Sequence, residues 1–271
     1  MTTPRKPKHR TAPAKRKDTS PLRPDVVAAI ERAWPDGVIE MSFDSEESWF
    51  WEAHSILAGA FHRLDGATLL HEREAEVAPE WTDEDDDDPP GGCDDLSRSY
   101  HLFFLSPRDD GFAFESSIET EAEPEFDDDF AEQEFAGDTQ MITMPGQGHT
   151  GWSVAVSLIA PFAAITLSDY TVFEDGSVSE PAIERLTVDD DGNQIHPEDH
   201  FRAFHGQRLF QELDKLRSRI AGILEKHGVT VLPETEWRKE VPWLRGDGEA
   251  LVGDAVNQPI RVLDAFFFEG V

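Results

Sequence analysis

The segment over residues 197–228 constrains this chain more than any other, because its apolar residues return every three or four positions for the length of a long helix. Phe201, Phe204, Leu209, Phe210, Leu213, Leu216, Ile220, Ile223 and Leu224 share one side, which is the spacing a helix needs to bury a stripe against a core. Asp214, Lys215, Arg217, Ser218, Glu225 and Lys226 keep the opposite side wet. Pro197 suits a first helical position, Glu198 and Asp199 place negative charge where the helix dipole favours it, and Gly228 supplies a left-handed stop. A helix of this length needs an extended apolar partner, and the segments around it read as strands.

Residues 38–43 alternate like a strand. Residues 100–105 and 112–116 read as a hairpin whose turn, over 106–111, carries Pro107, Asp109, Asp110 and Gly111. The most apolar section, 152–172, is dominated by strand patterning, with 152–160 also compatible with a helix. Residues 170–178 and 186–195 read as strand pairs turning at 174–176 and 189–193, where Asp-Gly dipeptides mark hairpins. Strands are expected again at 229–232 and at 260–268, the last ending in a buried Phe266, Phe267 and Phe268. Two shorter amphipathic helices precede the sheet. One covers 24–34 and is ended by Pro35; the other is capped by Asp44 or Ser45 and carries Trp49, Phe50, Ile56, Leu57, Phe61 and Leu64. The expected fold is therefore a single α+β domain over 25–271, a mostly antiparallel sheet packed on one side against a few amphipathic helices.

Charge divides the chain. Residues 1–24 hold eight Lys or Arg and one acid, with almost nothing apolar, so they are expected to form a disordered basic tail. The remaining residues carry 16 basic and 55 acidic side chains, a net charge of −39. Between Glu72 and Asp138 there are 25 acids and three arginines, a net of −22. Within that stretch the run Asp83, Glu84, Asp85, Asp86, Asp87 and Asp88 is followed by Pro89, Pro90, Gly91 and Gly92, which reads as a mobile acidic loop at 80–97. Further on, Phe126 and Phe130 flank Asp127, Asp128 and Asp129, as in a short acidic helix opened by Pro124. Such a field repels nucleic-acid phosphates and anionic membranes and attracts basic proteins; an acidic surface also serves plain solvation.

Cys93 is the sole cysteine, so no internal disulfide and no multi-cysteine zinc site can form. With no apolar run of transmembrane length and no signal-peptide pattern, the expected location is cytoplasmic.

Chemical motifs are sparse. Gly146, Gly148 and Gly151 in GQGHTG match dinucleotide-binding spacing, with Asp169 where a ribose-binding acid would lie, but Pro161 would cut the helix such a site needs, and a glycine-rich loop explains the residues as well. Gly151, Trp152, Ser153, Val154 and Ala155 approximate a nucleophile elbow without its last glycine. Asp189, Asp191, Gly192 and Glu198 echo a calcium loop in which Thr187 replaces the first acid; a hairpin turn accounts for them equally. His54 and His62 can share a helix face but lack a third ligand. His196, His200 and His205 gather near the start of the long helix as candidate metal ligands. No cofactor is expected, and no catalytic set is assigned; an enzyme would draw on His149, Ser153 and His200.

The expectation that follows is a non-enzymatic acidic protein that binds or neutralises a basic protein partner, in the manner of an inhibitor, immunity protein or nucleic-acid mimic. Asp83 to Asp88 and Phe126 to Phe130 would be the contact residues. Two other readings stand beside it: an enzyme with its site near 146–153 or 196–205, and a structural component that assembles through Phe266 to Phe268.

Overall fold

The computed structural model describes residues 20–39, 48–73, 97–121, 141–183, 187–188, 194–246, 259–267 and 269–270. In chain order these form α1 (Pro24–Ala33), β1 (Val38–Ile39), α2 (Phe50–His62), β2 (Ala67–Arg73), β3 (Ser97–Arg98), β4 (Tyr100–Pro107), a 3-10 turn (Asp110–Phe112), β5 (Ala113–Glu121), β6 (Met141–Ser157), β7 (Phe162–Phe173), β8 (Val178–Ser179), β9 (Thr187–Val188), β10 (Gln194–Ile195), α3 (Pro197–Lys226), β11 (Thr230–Val231), α4 (Glu234–Trp237), β12 (Arg245–Gly246), α5 (Val262–Phe266) and β13 (Glu269–Gly270).

The main sheet has seven strands in the order β11-β7-β6-β4-β2, with β5 also on β6 and β8 on β7. Every pair in it is antiparallel except β11 with β7. The expected α+β fold with a mostly antiparallel sheet is what forms, and β9 and β10 pair across the predicted 189–193 turn. The sequence differs from the structure in how the sheet is covered. Side chains alternate across a strand, and both sets are buried. Phe103, Leu105, Trp152, Val154, Val156, Ile165 and Leu167 pack with α2 and α3. Tyr100, Leu102, Ala155, Phe162 and Ala164 pack with α1, α4, α5 and their neighbours. Helices therefore lie on both faces, where one covered face was expected. The apolar run Tyr100–Leu105, broken only by His101, is the local reason, since a strand buried on both sides has no polar alternation.

The hairpin expected between 100–105 and 112–116 does not form. Both strands instead pair with β6, β4 against its C-terminal half and β5 against its N-terminal half. The Asp109 carboxylate accepts from the Gly111 amide, and the segment makes a single 3-10 turn. That jog interrupts one long strand without reversing it. The stretch 146–151, expected as a glycine-rich loop, lies inside β6, and 152–160 is strand up to Ser157. At Gly151 the Leu105 carbonyl of the neighbouring strand occupies the space a Cβ would need, so close backbone approach explains this glycine.

The long helix forms from Pro197 to Lys226, but Gly206 (φ 82°, ψ 166°) breaks it into two helical pieces. Phe204, two residues before the break, is 72% exposed despite its place in the apolar stripe. The other end of the chain also departs from expectation: within the expected strand 260–268, Val262–Phe266 is helical, Arg261 makes a single antiparallel bridge to Glu240, and beyond it Glu269–Gly270 pairs with β3. Phe266 and Phe267 are buried as expected. Capping residues Asp44 and Ser45 lie outside the described residues; Ser48 Oγ accepts from the Phe50 amide and donates to the Leu158 carbonyl. No described helix is long and apolar enough to cross a membrane.

Two glycine substitutions separate these backbone roles. Gly151→Ala is expected to destabilise the fold by about 1–3 kcal/mol through overpacking against Leu105. Gly222→Ala lies in α3 with nothing within 4 Å of its added Cβ, and should stabilise by about 0.5–1 kcal/mol. Urea unfolding of the two variants against the parent measures both.

Candidate functional site

Three elements meet around one carboxylate. α2 brings His54, β2 brings Glu72 and β4 brings His101. Glu72 reaches this place through an irregularity: the register of β2 on β4 shifts between Leu69 and His71. Because side chains alternate along a strand, one extra residue exchanges the faces of all that follow. Glu72 is thereby turned toward α2, while His71 and Arg73 turn to the other face.

His54 Nε2 lies 2.7 Å from Glu72 Oε1, and His101 Nε2 lies 3.0 Å from the same oxygen. The ring of His101 is fully buried, with His54 and Phe103 each 4.6 Å away and Phe50 5.1 Å away between centroids. Its Nδ1 has no hydrogen-bond partner. Burial, helped by the nearby His54, pushes the His101 pKa down to about 4 against the opposing pull of Glu72. Burial alone would raise the Glu72 carboxyl, but hydrogen bonding from His54 together with His101 holds it below the usual range. The one ligand atom that each residue offers lies within 4.8 Å of the others. Among the described residues this is the cluster with the shape of a metal-ligand set.

The opposite face of β2 carries a second polar group. Arg73 pairs with Glu180 and donates to the Tyr100 hydroxyl at 2.9 Å. His71 stacks on Tyr170 with centroids 4.9 Å apart. Burial lowers the His71 pKa despite Glu180, and burial and then Glu180 raise that of Tyr170. The Ser168 hydroxyl accepts from the Ala182 amide. Together these contacts pin residues 180–183 across the sheet, a structural role.

The residues singled out from sequence are dispersed. His149 lies in β6 between Ala113 and Tyr170, and Ser153 is four residues further along the same strand. Four extended residues separate them by about 13 Å. Ser153 is 1% exposed and its hydroxyl has no hydrogen-bond partner; an elbow needs a sharp strand-to-helix turn, and this serine sits in mid-strand. Asp169, the expected ribose ligand, instead accepts a hydrogen bond from Thr150 Oγ1 at 2.6 Å, directly across the β6–β7 pair.

His196, His200 and His205 do not form a ligand set either. His196 caps α3, its ring nitrogen accepting from the Glu198 amide, and its other nitrogen bonds Glu234. His200 packs at a tilt against Phe204 with centroids 4.5 Å apart, and His205 stacks on Phe201 at 4.4 Å. His200 and His205 do line a cavity of about 280 Å³ shared with Thr150 and Asp169. His62 is exposed and apart from His54. Asp83 to Asp88, Phe126 to Phe130, and Asp189, Asp191 and Gly192 lie outside the described residues.

Spacing along the chain could not reveal the histidine–glutamate cluster, whose members come from three elements. One local signal was available: a histidine interrupts the apolar run Tyr100–Leu105, where a buried polar ring needs a reason.

The low His101 pKa has a thermodynamic sign. An unfolded histidine takes up its proton near pH 6.5, whereas the folded one does so only near pH 4, so the unfolded state binds more protons between the two. The contribution to stability should therefore fall as pH drops from about 6.5 to about 4, by on the order of 3 kcal/mol. With chelator present, the stability gap between the parent and His101→Gln should narrow across that window, as read by urea unfolding at each pH.

Comparison with protein-family models, with curated proteins and with solved structures returned no match to this chain.

Proposed function

We propose that this protein binds a basic protein partner and acts by occupying it, in the manner of an inhibitor, an immunity protein or a nucleic-acid mimic. The observation that carries this reading is the net charge of −39 over residues 25–271. A field of that size speeds encounter with a cationic surface, and it opposes nucleic acid and anionic membranes. The dispersal of His149, Ser153 and His200 adds support, because the buried Ser153 hydroxyl has no hydrogen-bond partner that could act as its base.

The exposed end of the sheet suits such a partner. Glu115, Glu119 and Glu174 are exposed on or beside β5 and β7. Ile118, Ile142, Val172 and Val178, between 38% and 45% exposed, stand among them. A groove of about 860 Å³ runs between β5 and the end of β7, with Glu115, Val172 and Glu174 in its walls. Carboxylates around apolar anchors fit a basic surface that also offers hydrophobic side chains. The segment from 122 to 140, with Phe126, Asp127, Asp128, Asp129 and Phe130, joins β5 to β6 at this same end. The acidic run Asp83 to Asp88 would add long-range attraction. A sole cysteine fits a reducing cytoplasm as the setting.

Affinity capture with the full-length chain at low and high salt tests the reading. A basic protein should be recovered at low salt and lost as ionic strength rises. Replacing Asp83, Glu84, Asp85, Asp86, Asp87 and Asp88 by Asn or Gln should slow association at low salt by roughly tenfold or more while leaving the fold unchanged. Recovery of no basic protein at low salt would sink the proposal.

A further inference from the structure

We infer that His54, Glu72 and His101 form a binding site for a divalent first-row transition metal, with zinc the best match, held by two imidazole nitrogens and one carboxylate oxygen. The site is independent of partner binding, and either can fail without the other.

Geometry carries the inference. In a tetrahedral zinc site with bonds near 2.0–2.1 Å, neighbouring ligand atoms are about 3.3 Å apart. The two nitrogens here stand 2.7 Å and 3.0 Å from Glu72 Oε1, so retreats of a few tenths of an ångström would admit the ion. Both nitrogens converge on a single carboxylate oxygen, and the three ligand atoms lie within 4.8 Å of one another. The ligands arrive from α2, β2 and β4, whose packing around Phe50 and Phe103 holds them before any ion binds. Preorganisation of this kind removes much of the ordering cost of binding.

The donor set selects the class of ion. Calcium and magnesium ask for six or more oxygen ligands or retained waters, whereas two imidazoles with a carboxylate suit zinc and its neighbours. The side chains of His54 and Glu72 are 24% and 26% exposed while His101 is fully buried. The set is thus closed from beneath and open toward solvent, leaving a fourth position for water or an exogenous ligand.

A purely structural explanation accounts less well for His101. Leaving a buried polar atom unpaired costs about 1–3 kcal/mol, and His101 Nδ1 has no hydrogen-bond partner. A phenylalanine or leucine would fill the same apolar strand without that cost, giving up one hydrogen bond to Glu72. Ligation gives the histidine a use beyond that hydrogen bond. The same nitrogen also limits the site: metal-bound imidazoles usually donate their second N–H to an acceptor, and its loss weakens binding about 10–100-fold. Affinity should accordingly fall below that of a fully supported zinc site.

The test uses the full-length protein, freed of metal with a chelator and titrated with Zn²⁺ against a chromophoric competitor. One equivalent should bind more tightly than the many weak sites of an acidic surface. His54→Ala and Glu72→Gln should each weaken that equivalent at least 100-fold, while His200→Ala and His205→Ala leave it unchanged. The unmutated protein with labelled histidine rings supplies a second readout that does not depend on a variant folding: the first equivalent of Zn²⁺ should shift the His54 and His101 resonances together. Unchanged tight binding in both His54→Ala and Glu72→Gln would overturn the inference. So would the lack of a tight equivalent, or first-equivalent shifts falling on His196, His200 and His205.

Discussion

The structure depends on burying one sheet on both faces at once. β6 is paired on both edges along most of its length, with β4 and β5 on one side and β7 on the other. Its alternate side chains enter two separate apolar layers. Trp152 shows how tightly one layer is tied to its helix: it is 1% exposed and its indole nitrogen donates to the Leu213 carbonyl of α3 at 2.8 Å. Burial of large aromatic side chains is the main favourable term available to a chain whose surface charges repel one another. The hydrophobic layers must therefore offset both chain entropy and a strongly negative exterior.

A sheet dry on both sides leaves little room for polar groups, so those that remain mark work of some kind. On one side of β2, Arg73 pairs with Glu180 and donates to the Tyr100 hydroxyl, which helps hold residues 180–183 in place. On the other side, His54 and His101 share a single oxygen of Glu72, and His101 keeps a nitrogen unpaired. The two groups differ by which way one strand residue faces, and the register shift at Leu69/His71 decides that. Acidic attraction and a compact histidine–glutamate cluster are thus separate features: one spread over the surface and long-ranged, the other fixed within a few ångströms.

Much of the architecture was legible from local patterning. The 3.6-residue period identified α1, α2 and α3, and Asp-Gly dipeptides marked the turns after β7 and β9. Errors arose where a neighbour overruled the local signal. Gly146, Gly148 and Gly151 resemble a loop in isolation, but in β6 they accommodate the backbone and rings of adjacent strands. Pro107 to Gly111 has the chemistry of a reversal, yet β6 is long enough to pair on both sides of it and leaves only a jog. Gly206 lies inside the apolar period, and its positive φ breaks α3 close to the exposed Phe204. The candidate site was the least legible part, because His54, Glu72 and His101 are far apart in sequence.

By itself the sequence determined the α+β class, the positions of the main helices and the charge, since these depend on composition and on periods of two and 3.6 residues. Only the tertiary structure decided that both faces of the sheet are covered and that histidines 196, 200 and 205, close in sequence, form no joint ligand set. It also decided that three distant residues share one point in space. The physical reason is that a period states which side of an element is apolar, whereas register and crossing geometry, set by packing between distant segments, state which side chains meet.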